Sequence, residues 1–144
     1  MTGATSHQTL HATSVAIGGR AVLLHGPSGA GKSDLALRLI DRGAVLVSDD
    51  YTILTAEGGQ LIATAPATIA DKMEVRGIGV VDMPHADSVP VALIAHLGDV
   101  TERLPAEGAS RRIAGIDIPL VRIAPLEASA PIKVELALRE LGRT

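Results

Sequence analysis

The chain has 144 residues, no cysteine, and 13 basic against 16 acidic side chains for a formal net charge of −3. That length suits one domain with a proper core. Disulfides and thiolate metal sites are excluded, and the absence of a basic run or an aromatic platform sets nucleic acid aside as a partner.

Residues 1–9 are polar, with no apolar segment of the signal-peptide kind, so a flexible start is expected there. No apolar stretch reaches bilayer-spanning length, which argues against a membrane partner and for a soluble, cytoplasmic protein. Leu10 to Ile17 mixes polar and β-branched residues and predicts a strand; Gly18 and Gly19 turn it into a second strand, Arg20 to His25. Lys32 to Arg42 is free of Gly and Pro and predicts a helix ending at Gly43. Ala44 to Val47 predicts a buried strand, and Tyr51–Thr55 with Gln60–Ala65 a hairpin around Glu57-Gly58-Gly59. Ile69 to Val75 reads as helical or irregular, and Val91 to Leu97 as a strand. The polar stretch Gly98 to Gly115 reads as a mobile or functional loop. Ile116 to Ile123 is expected as an edge or irregular strand because of Pro119, and Ile132 to Leu141 as a closing helix after Pro131. Tyr51 is the only Phe, Tyr or Trp, so the core must be aliphatic. The expected class is α/β, a mixed sheet flanked by helices.

The segment Gly26-Pro27-Ser28-Gly29-Ala30-Gly31-Lys32-Ser33 fits G-x-x-x-x-G-K-[ST] at every specified position. Such a loop wraps phosphate with successive backbone N–H groups, and the helix behind it points its positive end at the same place. Lys32 is suited to the outer phosphates of a nucleotide and the Ser33 hydroxyl to the accompanying Mg²⁺. The flanking strand and helix are the context this pattern requires.

Asp49 and Asp50 follow the strand Ala44–Val47, where strand ends converge on the loop in open α/β sheets. One carboxylate suits the metal's water shell and the other a proton from an attacking hydroxyl. Glu74 and Arg76 stand beside Gly77 and Gly79, which by itself suggests only a surface ion pair at a turn. Five histidines are scattered along the chain and read mostly as ordinary surface residues, while Arg103 is one of several loop arginines that could clamp phosphate.

Gly26–Ser33, Leu46-Val47-Ser48-Asp49-Asp50 and Met73 to Asp82 together resemble the catalytic domain of the HPr kinase/phosphorylase family. The third block is similar to the family signature E-[IV]-R-G-[LI]-G, and the resemblance runs from about His11 to Glu135. It implies a P-loop kinase domain spanning 1–144, a short form without the family's amino-terminal domain, of the type associated with alphaproteobacteria. It also implies ATP and Mg²⁺ as cofactors and the phosphocarrier HPr as the protein phosphorylated on serine, in regulation of sugar transport and carbon metabolism. By the same resemblance Lys32 neutralises the β/γ-phosphates, Ser33 and Glu74 hold Mg²⁺, and Asp50 is the general base. His11 corresponds to the family's active-site histidine, near Asp50, with Ala12 in place of the family's glycine. Arg103 is the best match for the active-site arginine. Family members are commonly hexameric, so a homo-oligomer is implied. Bifunctional members carry an R-P-G-R-N-like segment before the last helix; the corresponding Pro125 to Ser129 has no arginine, which predicts weak or absent phosphorylase activity. A small-molecule P-loop kinase and a non-catalytic nucleotide-binding sensor are the competing readings.

Overall fold

A computed structural model of the chain describes residues 7–104 and 106–144. The chain opens with β1 (His7–Leu10) and β2 (Ala12–Ile17), then β3 (Arg20–His25), α1 (Lys32–Asp41) and β4 (Val45–Ser48). Next come β5 (Thr52–Glu57), β6 (Gln60–Thr64), β7 (Lys72–Val75), β8 (Gly79–Asp82) and β9 (Val89–Leu97). β10 (Ser110–Ile113), β11 (Ile116–Ile123) and α2 (Ala130–Leu141) complete it.

Nine strands form one mixed sheet in the order β1-β5-β6-β9-β3-β2-β4. β11 joins β9 and carries β10 on its other side, and β7 with β8 makes a separate hairpin. β3 runs parallel to β9, and β9 parallel to β11; the other pairs are antiparallel. The long β9 pairs β6 at Val89 and Pro90, then β11 from Ile94 onward, so it joins two halves of the sheet.

Alternation along the strands gives two apolar faces. Val22, Leu24, Leu93 and Ala95 meet Leu35, Ala36 and Leu39 of α1 and Val134 and Leu138 of α2. Leu23 and Ile94, pointing the other way, meet Leu54, Leu61, Ile113 and Ile118. Both clusters are aliphatic, as the composition requires.

Several expectations are corrected. The strand expected over Leu10–Ile17 is broken at His11, because β1 leaves β2 to pair antiparallel with β5. Residues 1–6 of the expected flexible start lie outside the described residues, while His7–Leu10 is β1. The stretch expected to be helical or irregular ends in β7, whose register with β8 matches Glu74 to Val80 across the Gly77 turn. The expected loop Gly98–Gly115 contains β10, which pairs with the first half of β11, Ser110 opposite Pro119.

Candidate active site

Gly26 follows β3 directly, and a Cβ there would lie 3.1 Å from Ala30 Cβ and 3.3 Å from the Leu97 carbonyl, so the loop is folded tightly over the end of β9. Gly31 is the N-cap of α1 with φ of 97°, a conformation that disfavours any residue with a side chain. Lys32 is 7% exposed and its Nζ donates to the carbonyls of Gly26 at 2.7 Å and Pro27 at 2.9 Å. Lys32 thus folds back from the start of α1 onto the carbonyls that open the loop.

Ser33 Oγ donates to Asp49 Oδ1 at 2.6 Å. The same carboxylate, 7% exposed, accepts from the Thr13 hydroxyl at 3.1 Å and, through Oδ2, from the backbone N–H of Glu74 at 3.1 Å. Three donors from three elements hold one buried carboxylate, which satisfies an otherwise costly charge. Asp50 points the other way. Its backbone N–H donates to Thr13 Oγ1 at 3.1 Å, and its exposed carboxylate meets His11 Nε2 at 2.7 Å. His11 in turn stacks on Tyr51, with ring centroids 4.9 Å apart.

The divergence of two adjacent aspartates has a backbone cause. Asp50 has φ of 71°, in the left-handed region that Asp tolerates better than most residues. The Tyr51 N–H returns to the Asp49 carbonyl at 2.8 Å, and Ser48 Oγ donates to the Tyr51 carbonyl, closing a tight turn after β4. One side chain therefore goes under the sheet edge and its neighbour goes to solvent.

The predicted residues separate into three groups. Lys32, Ser33, Asp49, Asp50 and His11 converge on the end of β3 and the start of α1. Glu74 is brought beside them by its backbone, with an exposed side chain. Arg103 lines a groove of about 560 Å³ with Val100, Leu104, Arg122 and Glu127 between β11 and α2. Pro125 reaches the loop, 3.6 Å from a Cβ placed on Gly31, and its carbonyl accepts from Arg38.

Sequence reasoning missed Thr13, which nothing local distinguishes from a β-branched strand residue. It also passed over His25 and His96, which are half-buried and not ordinary surface histidines: their Nδ1 atoms lie 3.2 Å apart, with Arg111 3.4 Å from His25 Nε2. Burial and then the charges of Arg111, His96, Lys32 and His11 hold His25 below the usual histidine range.

Comparisons with known proteins agree with this architecture. The family profile of the HPr Serine kinase C-terminal domain matches residues 3–138. The chain is 37% identical over 131 residues to the HPr kinase/phosphorylase of Pelodictyon phaeoclathratiforme, and 36% identical over 129 residues to that of Limosilactobacillus reuteri. Each match covers 81% of this chain and 40% of the relative, so the chain spans well under half the length of these relatives. The solved structure of the Hpr(Ser) kinase/phosphatase from Coxiella burnetii superposes with a TM-score of 0.79 and 30% identity, covering 92% of this chain and 94% of that one. A mixed α/β sheet that carries its loop, its paired aspartates and its Glu74 hairpin in this order, matched by profile, by relatives and by fold, places the chain in the HPr serine kinase C-terminal domain family.

Proposed function

We propose that this chain is an ATP-dependent protein serine kinase whose acceptor is an HPr-type phosphocarrier. The observation that carries the reading is the continuous set of contacts from Ser33 through Asp49 and Thr13 to Asp50 and His11, beginning at the Gly26–Ser33 loop. It joins a phosphate-type loop to an exposed carboxylate at hydrogen-bonding distance from a histidine, as transfer to a hydroxyl requires.

In this reading the N–H groups of Gly26–Ser33 receive the phosphates, and Lys32 turns from its own loop's carbonyls to the outer ones. Ser33 and Glu74 supply hard oxygen donors near the buried Asp49, a set that fits Mg²⁺, which takes few protein ligands and keeps water and phosphate oxygens. Bound there, Mg²⁺ neutralises charge on the transferring phosphoryl group. Asp50 orients the acceptor serine and takes its proton as the γ-phosphoryl group moves in line onto the hydroxyl oxygen. His11 holds the Asp50 carboxylate in place, and Tyr51 holds His11.

Pro125 packs against Gly31, Pro125 to Ser129 offers no cation of its own, and Arg38 in the last turn of α1 is turned onto the Pro125 and Glu127 carbonyls. A site that attacks phosphoserine with inorganic phosphate needs positive charge there, so the kinase direction predominates. Incubation with γ-labelled ATP, Mg²⁺ and an HPr-type protein tests the reading. Label on a serine of that protein is the expected result, and label on a small metabolite, or none, overturns it. Robust release of pyrophosphate from phosphoserine-HPr and inorganic phosphate would overturn the direction.

A further inference from the structure

Tyr51 is the only Phe, Tyr or Trp of the chain, and it lies exposed, outside both apolar clusters. A single exposed aromatic residue is ordinary in itself. Its surroundings are not. The ring stacks on that of His11, with centroids 4.9 Å apart and planes inclined by 23°. The fork in the sheet builds this contact. β1 leaves β2 at His11 to pair with β5, so Leu10 is the register partner of Thr52, and the Thr52 hydroxyl donates to the Ala12 carbonyl at 2.9 Å. Both neighbours of His11 are thereby tied to the residue that follows Tyr51.

The backbone of Tyr51 is fixed on its other side as well. Its N–H donates to the Asp49 carbonyl at 2.8 Å across Asp50, whose φ of 71° makes this a γ-turn of the rare, strained hand. The Ser48 hydroxyl holds the Tyr51 carbonyl. A strained residue at a site keeps its conformation where its neighbours over-determine it.

The contact between His11 and Asp50 needs such support. A carboxylate only accepts, so His11 donates from Nε2 to Asp50 Oδ1 at 2.7 Å. Among the described residues His11 Nδ1 has no hydrogen-bond partner. The two side chains are 38% and 59% exposed, and a pair so open to water holds its members weakly. With no second hydrogen bond to orient the imidazole, the face of Tyr51 sets the plane of the ring, because stacked aromatic rings attract beyond the area they bury. The Tyr51 hydroxyl makes no hydrogen bond among the described residues, so the ring face is what acts.

We propose that Tyr51 is a positioning residue of the transfer site, acting through His11 to hold the Asp50 carboxylate where the acceptor hydroxyl must arrive. The role in transfer rests on the kinase reading; the positioning of His11 does not.

Two measurements test it. In the ¹⁵N-labelled protein, Asp50→Asn should move the imidazole signals of His11, and should move them far less when Tyr51→Leu is already present. In steady-state transfer from γ-labelled ATP to an HPr-type protein, Tyr51→Leu should lower kcat roughly three- to tenfold, the effect of one aromatic pair, with the KM for ATP unchanged. Tyr51→Phe should restore the wild-type kcat, and in His11→Ala the leucine substitution should bring no further loss. The proposal is overturned if Asp50→Asn moves the His11 signals equally with and without the tyrosine. It is equally overturned if Tyr51→Leu turns over like wild type, if Tyr51→Phe loses as much as Tyr51→Leu, or if the leucine loss persists in full without His11. Should the wild-type protein label no acceptor, the kinase reading fails by itself, and the His11 signals alone decide whether Tyr51 positions that ring.

Discussion

Thr13 donates its hydroxyl proton to the buried Asp49 carboxylate at 3.1 Å while the same oxygen accepts the Asp50 N–H at 3.1 Å. One fully buried hydroxyl on β2 thereby bonds both of two successive aspartates whose carboxylates point in opposite directions. Replacing it with the near-isosteric valine leaves the Asp50 N–H unpaired and removes one donor from Asp49. Thr13→Val should cost about 1–3 kcal/mol in urea unfolding, the penalty of an unsatisfied buried polar group, and Thr13→Ser should recover most of it. A Thr13→Val midpoint equal to wild type would show that the hydroxyl holds neither aspartate.

Asp50→Asn preserves shape and the Thr13 contact but removes the carboxylate proposed to receive the acceptor's proton. Under the kinase reading, transfer should fall by about 10²- to 10⁴-fold, the usual contribution of a general base, with ATP affinity nearly unchanged. Single-turnover transfer and equilibrium nucleotide binding, measured on one preparation, separate the two quantities. Near-normal turnover would remove Asp50 from the role.

Lys32→Ala acts on the other half of the site. It withdraws the cation that donates to Gly26 and Pro27 and is suited to the outer phosphates. ATP binding should weaken by at least about tenfold, the worth of one charge-assisted hydrogen bond, and calorimetric titration reads it directly.

Gly31→Ala probes the backbone of the loop. With φ of 97° and Pro125 only 3.6 Å from the new Cβ, the substitution meets conformational strain more than collision. A loss of about 1–2 kcal/mol in stability is expected, together with weaker nucleotide binding, because the loop relaxes away from its concave form.

His25 makes stability depend on pH in a defined direction. Its folded pKa lies below the 6.5 of an unperturbed histidine, chiefly through burial and then Arg111. Between those values the unfolded chain binds more protons than the folded one. Stability is therefore fully present above pH 6.5 and declines as pH falls towards the folded value. Denaturant midpoints measured across this window should slope less in His25→Asn than in wild type; identical slopes would exclude the contribution.

Much of the fold was legible because it depends on neighbours in sequence. Helix α1 shows in the Gly-free run after Gly31, β3 in its apolar run, and the β5–β6 hairpin in Gly58-Gly59. β7 and β10 were not legible. Each has four residues, and in β10 Ser110 and Arg112 are exposed while Arg111 is only half-buried, so the segment reads as a polar loop until β11 supplies its hydrogen bonds. Arg103 is matched to the family's arginine by position in a diverged segment, and in the fold it lines the β11–α2 groove with Arg122 and Glu127.

The sequence alone determined the local chemistry: a loop whose glycines permit its turns, a lysine and serine at the helix start, and two adjacent carboxylates after a buried strand. Those features lie within short spans, where backbone geometry follows directly from residue type. Only the tertiary structure decided which distant residues meet, Thr13 with Asp49 across 36 positions and His25 with His96 across 71. Such meetings depend on strand order and register, and a slip of one residue would turn each of these side chains to the opposite face of the sheet.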